Sequence, residues 1–162
     1  MNYRNLPKTD LNISEISFGC MSLDLNSENN ESILRTAHER GINYFDTADL
    51  YDKGANELLV GESLKQIRKD VIIATKVGNE WLPDGSSWRW NTSKDYILKA
   101  ADKSLKRLQT DYIDIYQLHG GTMDDNRDEI IEAFEILKEQ GKIRYYGISS
   151  IRPNVINAFA TE

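Results

Sequence analysis

A chain of 162 residues, 40% hydrophobic and 28% charged, has the composition of an ordinary globular domain. Its net charge of −6 argues against the concentrated Lys/Arg surface that nucleic-acid phosphates demand, and basic residues are interleaved with acids, as at Arg68-Lys69-Asp70. No apolar run approaches the roughly 18–20 residues of a membrane span, Met1-Asn2-Tyr3-Arg4-Asn5 has no signal-peptide core, and one cysteine with two histidines offers no metal-ligand spacing, so a cytoplasmic protein without a metal is expected.

Residues 3–13 read as a small hairpin standing ahead of a repeating pattern, with the hairpin segment placed at 1–14. From 15 onward, short β-branched or aromatic runs alternate with stretches of helical period, the mark of βαβ units and a parallel sheet. The first strand is Ile16-Ser17-Phe18-Gly19. A helix follows from about Ser27, with Ile33, Leu34 and Ala37 on its apolar face and Gly41 as its stop. Strand two is Asn43-Tyr44-Phe45-Asp46. The next helix starts near Asn56 and is predicted to bury Leu58, Leu59 and Leu64, with Ile67 at its end. Strand three, Val71-Ile72-Ile73-Ala74-Thr75-Lys76, is nearly all apolar, as expected of a strand covered on both faces.

Residues 78–91 form a long loop that holds all three tryptophans, Trp81, Trp88 and Trp90. The pattern Thr92-Ser93-Lys94-Asp95 predicts a capping box, and Ile97, Ala101, Leu105 and Leu108 share one face of the helix behind it. Residues 112–118 are strand four. Ile130, Phe134 and Leu137 make the stripe of a helix that ends at Gly141. Residues 143–148 are strand five, and Pro153 stands at the first turn of a fifth helix.

Five βα units suit either an open doubly wound sheet or part of a (β/α)8 barrel. The open sheet predicts a glycine-rich phosphate turn after strand one. Gly19-Cys20-Met21-Ser22-Leu23 is neither G-x-G-x-x-G nor a Walker sequence, which favours the barrel. The expected class is therefore α/β, a (β/α)8 barrel of which about the first five units are present, in a single domain covering 1–162.

The polar residues fall where such a barrel works. Strand two ends in Asp46, strand three in Lys76, strand four in His119 and strand five in Ser149-Ser150, all at the rim where barrel active sites form. Tyr51 lies five residues beyond Asp46. Taken singly, each has an ordinary reading: a helix cap, an exposed lysine, a structural histidine, a packing tyrosine. Together they make a proton donor. A phenol of pKa about 10 is a poor acid at neutral pH, and a neighbouring ammonium favours its ionised form. A carboxylate holds the lysine charged, and a histidine can orient a carbonyl oxygen. That is the equipment for carbonyl reduction or its reverse.

The run Gly41-Ile42-Asn43-Tyr44-Phe45-Asp46-Thr47-Ala48-Asp49-Leu50-Tyr51, continuing to Asn56-Glu57 and Gly61, resembles the first signature of the aldo-keto reductase family. Ala74-Thr75-Lys76-Val77-Gly78 resembles the family's lysine strand, Tyr116-Gln117-Leu118-His119-Gly120 its histidine strand, and Gly147-Ile148-Ser149-Ser150 the segment that contacts the nicotinamide carboxamide. The resemblance implies Tyr51 as general acid, Lys76 as the group that activates it, Asp46 as the lysine's partner and His119 as the group that orients the carbonyl. It further implies NADPH as cofactor, held by Ser149 and Ser150, by Asp46, and by the backbone around Cys20 and Met21. Ser150 departs from the family's common asparagine, and Pro7 from a usual glycine. Strands six to eight, with the ring that stacks on nicotinamide and the basic grip on the adenosine phosphates, are not in these residues, so the chain reads as a fragment or truncated form.

Trp81, Trp88 and Trp90 are expected to wall the substrate side of the rim, against the alternative that the loop packs on itself. Cys20 reads as an inert thiol. The leading function is reduction of a small aldehyde or ketone. The alternatives are a non-catalytic nucleotide-sensing or protein-binding module and an inert half-barrel. Open sheet edges predict that the isolated chain aggregates or dimerises edge to edge, and its NADPH affinity is expected to be negligible.

Overall fold

The computed structural model describes residues 1–160. Strands β1 (Tyr3–Asn5) and β2 (Asn12–Ser14) form an antiparallel hairpin. Behind it comes a parallel sheet of five strands in chain order: β3 (Phe18–Gly19), β4 (Tyr44–Asp46), β5 (Ile72–Val77), β8 (Ile113–His119) and β9 (Ile143–Ser149). A second hairpin, β6 (Asn79–Trp81) with β7 (Trp88–Trp90), rises after β5. Helices α1 (Asn30–Glu39), α2 (Ala55–Leu64), α3 (Lys94–Leu108), α4 (Arg127–Glu139) and α5 (Pro153–Ala160) follow the successive strands of the parallel sheet. The order without a reversal is that of a barrel wall, here five of its strands.

Side chains alternate across each strand, and that parity organises the molecule. One face carries Phe45, Ile73, Tyr116 and Leu118 into the main core against the helices. The other carries Tyr44, Ile72, Ala74, Ile115 and Tyr145 into a smaller inner cluster, plugged by Leu11 from the first hairpin. Continuing that inner face toward the strand ends reaches Asp46, Lys76, His119 and Ser149.

Several local expectations need correction. Strand β3 is only two residues long, and Ile16 is 59% exposed. The first helix begins at Asn30 and buries Asn30, Leu34 and Ala37, which turns Ile33 outward. Leu58 is 41% exposed because α2 buries polar residues instead. Asn56 donates to the Cys20 carbonyl at 2.8 Å and accepts from Thr47 at 2.7 Å. Glu57 is fully buried, taking the Thr75 hydroxyl at 2.5 Å and the guanidinium of Arg107. Gly61 lets this helix meet α3, since a Cβ there would fall 2.5 Å from the Leu108 backbone.

The capping box is not formed either. Ser93 is the N-cap and makes no capping bond with its side chain. The Lys94 amide instead donates to Glu129 of α4 at 2.9 Å, so a tertiary contact replaces the local one.

Candidate active site

Lys76 ends the inner face of β5 and is almost fully buried. Such a cation needs partners, and its ammonium has three. It donates to Asp46 Oδ1 at 2.7 Å, to the Thr47 carbonyl at 2.7 Å and to the Tyr51 hydroxyl at 3.4 Å. Asp46 comes from the end of β4, one strand away. Tyr51 comes from the loop after β4, whose start is fixed by Thr47 N–H to the Ala74 carbonyl at 2.9 Å and Asp49 N–H to the Lys76 carbonyl at 3.3 Å.

The His119 ring meets the Tyr51 ring edge-on, with centroids 5.7 Å apart. Its Nδ1 is buried and makes no hydrogen bond within the described residues. Burial, reinforced by the Lys76 charge and opposed by Asp46, lowers its pKa to about 4. The imidazole is therefore neutral at physiological pH. Asp46, Lys76 and His119 thus converge as the strand parity requires, and the loop after β4 brings Tyr51 to them.

Beside them opens a cleft of about 510 Å³, lined by His119, Ser149, Ser150, Trp88, Trp90 and Arg152 among others. Residues 78–91 are not an irregular loop, since the β6–β7 hairpin occupies most of the segment. The register sets Trp81 opposite Trp88, with Trp90 two residues further on the same face. Trp88 and Trp90 face the cleft. Trp90 is packed on Gly78, where a Cβ would sit 2.7 Å from the ring, and its indole N–H donates to Asp125 at 2.8 Å. Trp81 is not among the residues that line the cleft, and its indole N–H donates to the Leu50 carbonyl at 3.3 Å.

Cys20 is wholly buried, and its thiol is pushed up to about 12, first by desolvation and then by Asp46. Its side chain is thus inert, and Met21 projects outward. Neither lines the cleft that holds the serines.

The structure also adds two residues to which the sequence reading assigns no role. Asp49, two positions before Tyr51, is buried with one carboxyl oxygen unpaired among the described residues, and desolvation raises it to about 8, with Glu57 adding to the shift and Arg107 opposing it. An acid inside an otherwise familiar run of loop residues leaves no periodic signal. Arg152 enters the cleft wall from the segment after β9, donating to the Gly121 carbonyl at 3.0 Å. Among the described residues no cluster of His, Cys, Asp and Glu could hold a metal, and no helix is long and apolar enough to cross a membrane.

Comparison with known proteins places this arrangement. The model of the aldo/keto reductase family matches residues 15–161. The oxidoreductase YqkF of Bacillus subtilis strain 168 is 58% identical over 98% of this chain and 52% of its own length. The aldo-keto reductase yakc [NADP(+)] of Schizosaccharomyces pombe is 38% identical over 91% of this chain and 46% of its own. Among solved structures, the holo form of aldo-keto reductase AKR11C1 from Bacillus halodurans superposes with a TM-score of 0.95 at 57% identity, covering 98% of this chain and 53% of that one. The chain spans about half the length of these relatives.

Proposed function

The chain belongs to the aldo/keto reductase family, and on that premise we propose that it carries the reacting half of an NADPH-dependent enzyme that reduces small aldehydes or ketones to alcohols. The observation that carries the reading is the Lys76 ammonium bonded at once to Asp46 and to the Tyr51 hydroxyl.

The cleft suits the nicotinamide end of the cofactor. Two serine hydroxyls, an indole face and a neutral imidazole share one opening, a donor set that fits an aromatic ring bearing a carboxamide. Ser149 and Ser150 would hold that carboxamide, while Asp46 and the backbone at Cys20 and Met21, outside this cleft, would meet the rest of the cofactor. The dinucleotide, when bound, would supply a hydride to the carbonyl carbon. The NADP(+) in the name of the fission-yeast relative favours the phosphorylated form.

Tyr51 gives its proton to the oxygen on which charge develops. Lys76 stabilises the phenolate left behind, and Asp46 keeps Lys76 charged and aimed. His119, neutral at working pH, orients the carbonyl oxygen without placing a second cation beside Lys76. Trp88 and Trp90 give the substrate an aromatic wall. A lone buried thiol suits a reducing compartment such as the cytoplasm.

Tyr51→Phe in the intact protein tests the reading. Carbonyl reduction should fall by about 10²–10⁴-fold while NADPH binding, followed by quenching of tryptophan fluorescence, is kept. Turnover that survives the substitution rejects Tyr51 as the acid.

The free edge of β9 favours a further role in association. An apolar hollow of about 360 Å³ there is lined by Leu118, Phe134, Tyr146, Ile148 and Phe159, and unpaired edges seek partners. The isolated chain is expected to self-associate; a monomer on size-exclusion chromatography would reject this.

A further inference from the structure

The loop that bears Tyr51 adopts a conformation that its own residues disfavour. Asp52 and Lys53 have φ of 49° and 56°, and Gly54 follows at 88°. In this left-handed region a Cβ crowds the neighbouring carbonyl, so glycine is at ease there and aspartate and lysine are not. Two such residues in succession persist where the surroundings hold them.

On its inner side the loop is tied down by Lys76, through the Thr47 carbonyl and the phenol. On its other side stands the β6–β7 hairpin. Trp81 Nε1 donates at 3.3 Å to the Leu50 carbonyl, which belongs to the peptide joining Leu50 to Tyr51. The Lys53 ammonium lies 5.3 Å from the centre of the Trp81 ring, within reach of its π face. At the hairpin turn, a Cβ on Gly85 would lie 3.1 Å from that same ammonium. The hairpin is itself anchored, by its paired register from Asn79↔Trp90 to Trp81↔Trp88 and by the bond from Trp90 to Asp125. A hairpin that only packed on itself would not direct an indole N–H to the carbonyl one residue before the phenol.

From these contacts we propose that Trp81, gripped by Lys53, is a positioning residue that pins the turn at 50–54 and so sets where the Tyr51 hydroxyl lies. The proposal rests on the reading of Tyr51 as the acid. It also gives the Trp81 N–H a role apart from the cleft that Trp88 and Trp90 line. Small displacements of a reacting group are costly, with a 1 Å error able to cost about 100-fold in rate. A brace on the hairpin side of the loop therefore has a function that packing alone does not require.

The test uses Trp81→Phe, which keeps a ring but removes the N–H, together with Lys53→Met and Lys53→Arg, all in the intact protein. Two quantities are read: amide hydrogen exchange over residues 50–54, and the separate kcat and KM for carbonyl reduction. Trp81→Phe and Lys53→Met should speed exchange in that turn about tenfold, with β5 amides unchanged, and lower kcat about tenfold at constant KM for NADPH. Lys53→Arg should restore both. Unchanged exchange at 50–54 in both disruptive variants overturns the brace, whatever the rates do. Should Tyr51→Phe retain turnover, the acid assignment fails separately, and the exchange data still judge the brace.

Discussion

Asp114 and His119 stand near the two ends of one strand, β8, and their surroundings differ in kind. Asp114 is buried and saturated. It accepts from Arg68 at 2.8 Å, from Arg144 at 2.6 Å and from the Ile73 amide at 3.0 Å, and Arg144 continues to Asp10 of the first hairpin. His119 keeps a buried nitrogen without a partner among the described residues, next to a phenol that Lys76 contacts at 3.4 Å, longer than its other two bonds. A polar cluster with every group satisfied ties elements together. One with spare hydrogen-bonding capacity, opening on a cleft, is equipped to receive something. The same strand thus carries a saturated end and an end with spare hydrogen-bonding capacity, the latter at the rim where barrel active sites form.

This contrast can be broken at either end. At the saturated end, Asp114→Ala should leave two guanidinium groups without their shared anion and cost about 3–5 kcal/mol of unfolding free energy, read by urea denaturation, with kcat of the intact protein untouched. A loss of activity at unchanged stability would show that the two ends are not separate.

Asp49 lies between these extremes, buried with one oxygen satisfied only in part by Tyr96, at 3.5 Å. Its carboxyl is raised to about 8, chiefly by burial, whereas in the unfolded chain it ionises near the usual value of about 3.9. Between those values the folded state retains a proton that the unfolded state has released. Its contribution therefore makes stability fall as pH rises from about 4 to about 8. Asp49→Asn removes that cost, so its advantage over the native residue should grow across this window and level off above it, at about 1.4 kcal/mol per pKa unit. Urea melts at pH 5 and pH 9 that shift in parallel for the two proteins would contradict this.

Much of the architecture is legible in the order of the residues, for identifiable reasons. β5 and β8 are six- and seven-residue strands rich in isoleucine and bounded by turn residues, so their parity, and with it the convergence of Asp46, Lys76, His119 and Ser149, follows from counting in twos. Helix α2 defies the same kind of counting because apolar periodicity assumes that polar residues face water. Here Asn56 and Glu57 are buried by their bonds to Thr47, Cys20, Thr75 and Arg107, and Leu58 is displaced outward. The β6–β7 hairpin is hidden in the sequence because Asn79, Glu80 and Arg89 look like loop residues. Its stability comes from partners distant in sequence, including Asp125. Without the hairpin the three tryptophans read as one wall, and the bond from Trp81 to the Leu50 carbonyl has no local signal.

The central claim is that Lys76 and Tyr51 work as one unit, and a double-mutant cycle measures it most directly. In the intact protein, Tyr51→Phe and Lys76→Met should each abolish most carbonyl reduction, and the double variant should be scarcely slower than either alone, because each removes the same step. If instead the two losses multiply, the ammonium and the phenol act independently, and the contact at 3.4 Å has no part in the chemistry.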